Sequence, residues 1–152
     1  NGEPYYSSEP EMYLGTLVHE FNHSFVNPLA DNPQYALAME TAGNAMLTYS
    51  KKVMHKNAYS TWQNLVNESI VRAAVIIYLI DNGVAPNKIR QSVIDEMSVG
   101  FYWTPELVKC LQYYTQHRDK YSSIESYYTE IAGFFNNYAN SCSAKIDAIF
   151  LH

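Results

Sequence analysis

The sequence predicts a mainly α-helical domain, and three observations support this fold class. The chain has 152 residues, the usual length of a single domain. Apolar residues make up 47% of the chain and charged residues 16%, so the composition suits a protein with a core and excludes a disordered one. Strong alternation of apolar and polar residues is missing, whereas helix-capping residues recur. We therefore expect one domain over residues 1–152 with about six helices.

Prolines and capping residues bound the first three predicted helices. Ser8 opens a capping box with a proline in the first turn, and Pro28 is expected to end this helix. Pro33 suits the first position of the second helix, and Gly83 suits the residue that follows the third. The β-branched run at 71–80 could be a buried strand, but its frame is continuous with a capped helix. We expect these helices at about 8–25, 33–55 and 60–82.

Three further helices are predicted in the second half. Residues 86–98 begin with a proline and form a shorter helical stretch. Thr104 and Pro105 open the next helix, and Ser122 begins a second capping box. We expect helices at about 86–98, 104–118 and 122–138, followed by a short helix or ordered coil at 140–152.

Composition excludes some functions and leaves others open. The formal charge of −5 argues against a nucleic-acid partner, which would require a basic surface. No apolar run reaches the roughly 18 residues that a membrane helix needs. Two cysteines, Cys110 and Cys142, allow one disulfide at most, although free thiols are the more usual state. The 14 tyrosines suit either helix packing or a surface that binds peptides or sugars.

Residues 19–23 read His-Glu-Phe-Asn-His, which is the HExxH pattern. His19 and His23 are four residues apart, so both imidazoles lie on one face of a helix and can bind one metal ion. Glu20 points about a quarter-turn away, where it can hold a water molecule and accept its proton. The pattern predicts a metal site with a general base.

The rest of this helix carries an apolar stripe opposite the histidines. At about 100° per residue, His19 and His23 lie on the other side of the helix from this stripe. We expect the stripe to pack in the core and the histidines to face a cleft. A chance HExxH match would not supply a capped helix with such a stripe, which consists of Leu14, Leu17, Val18, Phe21 and Phe25.

A catalytic zinc site usually has three protein ligands and one open position, so a third ligand is needed. The metzincin pattern would place a glycine and a histidine where this chain has Val26 and Leu29. Glu68 is the preferred candidate, because an unpaired carboxylate on an otherwise apolar helix is costly. The alternative is an ordinary ion pair between Glu68 and Arg72 at i,i+4. Weaker candidates for the third ligand are Asp31, Glu40 and His55.

An HExxH helix followed by an Asn-Glu pair on a second helix resembles the gluzincin metallopeptidases. The longer string HEFNHSFVNP at 19–28, with the segment 67–73, resembles an uncharacterised bacterial family of secreted candidate zinc peptidases. The resemblance implies a helical zincin-like catalytic subdomain that acts on peptides or proteins with a zinc cofactor. It implies His19, His23 and Glu68 as ligands and Glu20 as the general base.

The chain departs from the gluzincin pattern in two respects. Thermolysin-like gluzincins have an aspartate four residues after the glutamate ligand to orient a histidine, whereas this chain has Arg72. Gluzincins also have an upstream β-sheet that binds substrate, so the resemblance implies that this sheet lies in a segment before the present chain. An oxyanion donor is also needed, and the candidates are Tyr102, Tyr113 and His117.

Two N-glycosylation acceptor patterns overlap the predicted site. They begin at Asn22 and Asn67, each next to a predicted ligand, so a glycan at either would block the cleft. We therefore expect an exported or cell-envelope protein of a bacterium. The leading function is a zinc peptidase. The alternative is a non-catalytic helical module that binds peptide or glycan, with a structural metal or none.

Overall fold

The structure is a computed structural model that describes residues 10–54 and 59–150, with side chains described for 14–51, 54 and 59–142. This part of the chain forms six helices and no strand, which confirms the mainly α-helical fold class. Ser8 and His55 lie outside the described residues. The helices are α1 (Pro10–Asp31), α2 (Pro33–Val53), α3 (Trp62–Asp81), α4 (Pro86–Ser98), α5 (Thr104–Gln116) and α6 (Ile124–Phe150).

Two predicted helix ends are wrong. Helix α1 continues through Pro28 to Asp31, because the turn around this proline buries Leu29 and Ala30 in the core. Burial of these side chains offsets the one backbone hydrogen bond that a proline removes. Helix α6 also continues beyond its predicted end at 138, since its last 17 residues contain neither glycine nor proline and Cys142 is fully buried.

Helix α3 lies at the centre of the fold and contacts α1, α2, α4 and α5. Most of its circumference is therefore buried, which explains why the run at 73–80 is apolar on all sides and yet helical. Thr61 caps its first turn and Gly83 follows its end with a φ of 71°. Its buried side chains are Trp62, Leu65, Val66, Asn67, Ser69, Ile70, Val71, Ala73, Ile76 and Ile77.

Two tryptophans pack α3 against α2 and against the loop before α5. Helix α2 packs along α6 and also meets α3, where Gly43 leaves room for the Trp62 ring that a Cβ would contact at 2.6 Å. In the loop before α5, Trp103 is buried and donates its indole N–H to Ser69 Oγ at 2.9 Å. These contacts hold α3 in place beside α1.

The expected orientation of α1 is wrong. Its apolar stripe faces solvent, with Leu17 exposed by 66%, Phe21 by 65% and Phe25 by 54%. The opposite face packs on α3, where Val26 is buried. Amphipathic spacing shows which residues share a face, but it does not show which face meets a neighbouring helix. None of the helices in the described part of the chain is long and apolar enough to cross a membrane.

Candidate metal centre

His19, His23 and Glu68 meet where α1 packs on α3. The two histidine Nε2 atoms are 3.2 Å apart. Glu68 Oε1 lies 3.5 Å from His19 Nε2, and Glu68 Oε2 lies 3.4 Å from His23 Nε2. All three side chains are partly buried, with exposed fractions of 23%, 25% and 13%. The two histidines and the glutamate that the sequence singled out are therefore brought together.

The spacing of these donors fits a tetrahedral metal site. Ligand atoms about 2.0–2.2 Å from a zinc ion lie roughly 3.3–3.6 Å apart in tetrahedral geometry. The observed distances between facing donor atoms, 3.2–3.5 Å, are close to this value, and each histidine faces a different oxygen of Glu68. Two imidazoles and a carboxylate are also the donor set of many catalytic zinc sites. Among the described residues these three form the one group of histidine, cysteine and acidic side chains close enough to hold a metal ion.

Asn27 fixes the orientation of the second histidine. His23 Nδ1 donates a hydrogen bond to Asn27 Oδ1 at 3.1 Å, one helical turn further along α1. In the neutral ring this leaves His23 Nε2 as an acceptor, 3.2 Å from His19 Nε2 and 3.4 Å from Glu68 Oε2. A proton or a metal ion shared among these atoms would satisfy them. Asn27 is thus placed to orient the His23 ring.

Arg72 contacts the Glu68 carboxylate, so the ion pair given as the alternative interpretation of Glu68 exists together with the cluster. Its Nε donates to Glu68 Oε1 at 2.7 Å, and its Nη1 donates to Glu96 Oε2 at 2.7 Å. Its guanidinium carbon lies 4.7 Å from the centre of the Phe101 ring. Burial lowers the pKa of Arg72, but the hydrogen bond to Glu96 and the nearby carboxylates raise it overall, so this side chain stays charged.

Tyr59 is a site residue that the sequence analysis missed. Its ring packs edge-on against Phe101, with the ring centres 5.8 Å apart. Burial raises the pKa of Tyr59, and the negative charge of Glu68 raises it further, whereas the hydrogen bond and charge of Arg72 lower it. Its hydroxyl therefore stays protonated beside the Glu68–Arg72 pair. No short-range pattern in the sequence pointed to this residue.

Glu20 follows the first ligand and is exposed at the surface of α1. Within the described part of the chain, no hydrogen bond or ion pair fixes its carboxylate. A cavity of about 390 Å³ adjoins the site, with His19, Arg72 and Glu96 in its wall. The remaining wall residues are Gly15, Thr16, Val75 and Leu79. The cluster therefore has an accessible side at His19.

The structure does not bring Tyr113 and His117 to the cluster. Their rings stack on each other with centres 3.8 Å apart, and His117 Nδ1 bonds to the Tyr113 carbonyl oxygen at 2.7 Å. Tyr113 also lies near Tyr127 of α6. Tyr102 is half-buried in the loop before α5, where burial raises its pKa, and its role stays a prediction.

The remaining candidates lie outside the cluster. Asp31 and Glu40 are exposed, on α1 and α2. The two cysteines are free thiols, of which Cys142 is buried, and burial raises the pKa of Cys110. Asn67 is also buried, so its glycosylation pattern is inaccessible in the folded protein.

Comparison with known proteins places the chain in a family. Residues 10–133 match the model of the family described as a domain of unknown function, DUF4932. Since this match covers most of the chain, the protein belongs to that family. No curated protein and no solved structure matches the chain.

Proposed function

We propose that this member of the DUF4932 family is a zinc-dependent peptidase. The observation that supports the proposal is the convergence of His19, His23 and Glu68, which bring one donor atom each to within 4.8 Å of one another, close enough to bind one metal ion. These residues would hold the metal through two Nε2 atoms and a carboxylate. Three protein ligands are also the usual number at a catalytic zinc site, where one position stays open.

The residues around the cluster suit hydrolysis of an amide bond. A bound zinc ion would polarise the scissile carbonyl and lower the pKa of the attacking water. Glu20, adjacent to the first ligand and exposed, can accept the proton of that water and pass it to the leaving amine. Asn27 keeps the His23 ring in its ligating tautomer, and Arg72 holds the Glu68 carboxylate.

The proposed substrate is a peptide or protein, and the proposed class is gluzincin-like. The cavity beside His19 offers apolar walls from Val75 and Leu79 and a charged wall from the Arg72–Glu96 pair. This combination suits a peptide, which carries both side chains and polar backbone groups. We also propose that the protein is exported or held in the envelope of a bacterium, for which an intact mass free of glycan on natively produced protein is the test.

The experiment measures metal and hydrolysis together on the longest natural chain. After zinc loading at neutral pH, we expect about one bound zinc per chain, and hydrolysis of members of a diverse peptide library that a chelator abolishes. Fewer than ~0.2 equivalents of zinc would contradict the metal site. Bound zinc without cleavage of any peptide would contradict the enzymatic proposal alone.

A second candidate function is peptide binding without catalysis. A groove of about 850 Å³ lies between α1, α3 and α5, and apolar side chains such as Phe25, Ile77 and Leu111 line it. Such a groove suits an apolar peptide segment. A binding module of this kind would bind peptides from the library without cleaving them. Any metal in it would have a fourth protein ligand and no open coordination position.

A further inference from the structure

Glu96 is connected to the proposed metal ligands through a single side chain. Arg72 lies one helical turn after Glu68 on α3 and donates to it through Nε, while Nη1 of the same guanidinium donates to Glu96 on α4. Both bonds are 2.7 Å long. The side chains of Arg72 and Glu96 are only 27% and 22% exposed, so water screens this pair less than a surface ion pair.

The guanidinium of Arg72 has enough donors to occupy both oxygens of the Glu68 carboxylate, which would leave neither oxygen free for a metal ion. Arginine carries five N–H groups in a planar fork that readily forms two parallel bonds to one carboxylate. A bidentate pair with Glu68 would engage both of its oxygens and compete with a metal for them. In the structure Arg72 contacts Oε1 alone, and Oε2 remains directed at His23.

Glu96 also changes the charge that a metal ion would meet. Arg72 alone would neutralise the charge of Glu68 and so weaken its attraction for a divalent cation. The second carboxylate restores one net negative charge to the group. The Phe101 ring, 4.7 Å from the guanidinium carbon, limits movement of Arg72 on another side.

From this geometry we propose that Glu96 is a positioning residue for the metal site. Glu96 holds Arg72 in an orientation that leaves Glu68 free to bind the metal. The inference rests on the proposed zinc site. It also assigns a role to α4, a helix with no fully buried side chain, which lies against α3 next to the cluster.

The test compares the zinc affinities of Glu96→Gln and Asp95→Asn. Asp95 lies next to Glu96 on α4, is exposed and accepts a hydrogen bond from Gln91 instead of Arg72. Both substitutions remove one negative charge and keep the side-chain shape. Since partners behind a ligand typically contribute 10–100-fold to metal affinity, we expect Glu96→Gln to weaken zinc binding about tenfold. Asp95→Asn should change the affinity less than about threefold.

Two further measurements separate positioning from general stability. Both metal-free variants should stay folded, and Glu96→Gln should melt at the lower temperature because it loses the ion pair with Arg72. The visible spectrum of the cobalt-loaded protein, which reports ligand geometry, should change in Glu96→Gln alone. Equal zinc affinities and spectra in both variants would overturn the role of Glu96 while the zinc site stands. If the wild-type protein binds no zinc, the proposed function fails as well.

Discussion

The two faces of α1 differ in polarity and in exposure to solvent, and the polar face is the more buried one. One face carries His19 and His23, which are about three-quarters buried and contact a carboxylate of α3. The other carries Leu17 and Phe21, which are apolar and about two-thirds exposed. In an ordinary surface helix the apolar face would meet the core and the polar face would meet water.

The difference shows that a specific polar site can determine how a helix packs. Glu68 projects from the buried helix α3, and a carboxylate in that position needs partners. The histidines and Arg72 provide them, so the polar face of α1 packs inward. The polar face should therefore respond strongly to substitution, whereas the apolar face should respond weakly.

The largest expected effect is on hydrolysis, from Glu20→Gln at the edge of the polar face. Glutamine keeps the shape and accepts a hydrogen bond but cannot accept a proton, so the rate should fall by ~10²–10⁴-fold. The zinc content and melting temperature should stay at wild-type values, since the exposed side chain is not one of the three clustered donors. A variant that cleaves as fast as wild type would show that another group is the base.

The next largest effect is expected on zinc affinity, which can be compared between substitutions of two carboxylates. Glu68→Gln should weaken zinc binding by more than roughly 100-fold, because an amide is a poor ligand and even indirect partners contribute 10–100-fold. Glu40→Gln on the exposed surface of α2 is the matched control and should bind zinc normally. Equal affinity of the two variants, measured by competition with a chelator, would exclude Glu68 as the third ligand.

The free energy of unfolding of two variants allows the two faces of α1 to be compared directly. At a free zinc concentration 100 times the dissociation constant, bound metal adds about 2.7 kcal/mol to the free energy of unfolding. His23→Ala should lose most of this stabilisation by zinc. Leu17→Ala on the exposed face should change the free energy of unfolding by less than about 0.5 kcal/mol. Denaturant unfolding with and without zinc measures both, and the effect of His23→Ala should shrink when zinc is removed.

Local patterns predicted most of the helices and the histidine pair of the cluster, because their causes lie close together in sequence. Pro33, Thr104 and Gly83 bound helices through backbone geometry that short stretches determine. The HExxH spacing likewise places His19 and His23 side by side on any helix. Asn27 could have been found in the same way, since it is four residues after His23.

The rest of the site depends on how helices pack, which short patterns do not encode. Glu96 reaches the cluster because α4 packs on α3, and Tyr59 reaches it from the segment before α3. The direction in which α1 faces was mistaken for the same reason. Tyr113 and His117 were chosen from local composition, and their contacts lie with each other and with α6.

The smallest expected effect is on the rate of hydrolysis when a tyrosine hydroxyl is removed, either beside the cluster or far from it. Tyr59→Phe removes a neutral hydroxyl beside Arg72 and should lower the rate of peptide hydrolysis by roughly 2–10-fold, the value of one hydrogen bond. Tyr113→Phe is the matched change at the end of α5. Because the Tyr113 ring stacks on His117 and its hydroxyl is not needed for that contact, the rate should change less than about twofold. A loss of more than about 100-fold in Tyr113→Phe would instead identify an oxyanion donor. Substrate would then have to reach from the cluster to α5, and the polar face of α1 would be only part of the active site.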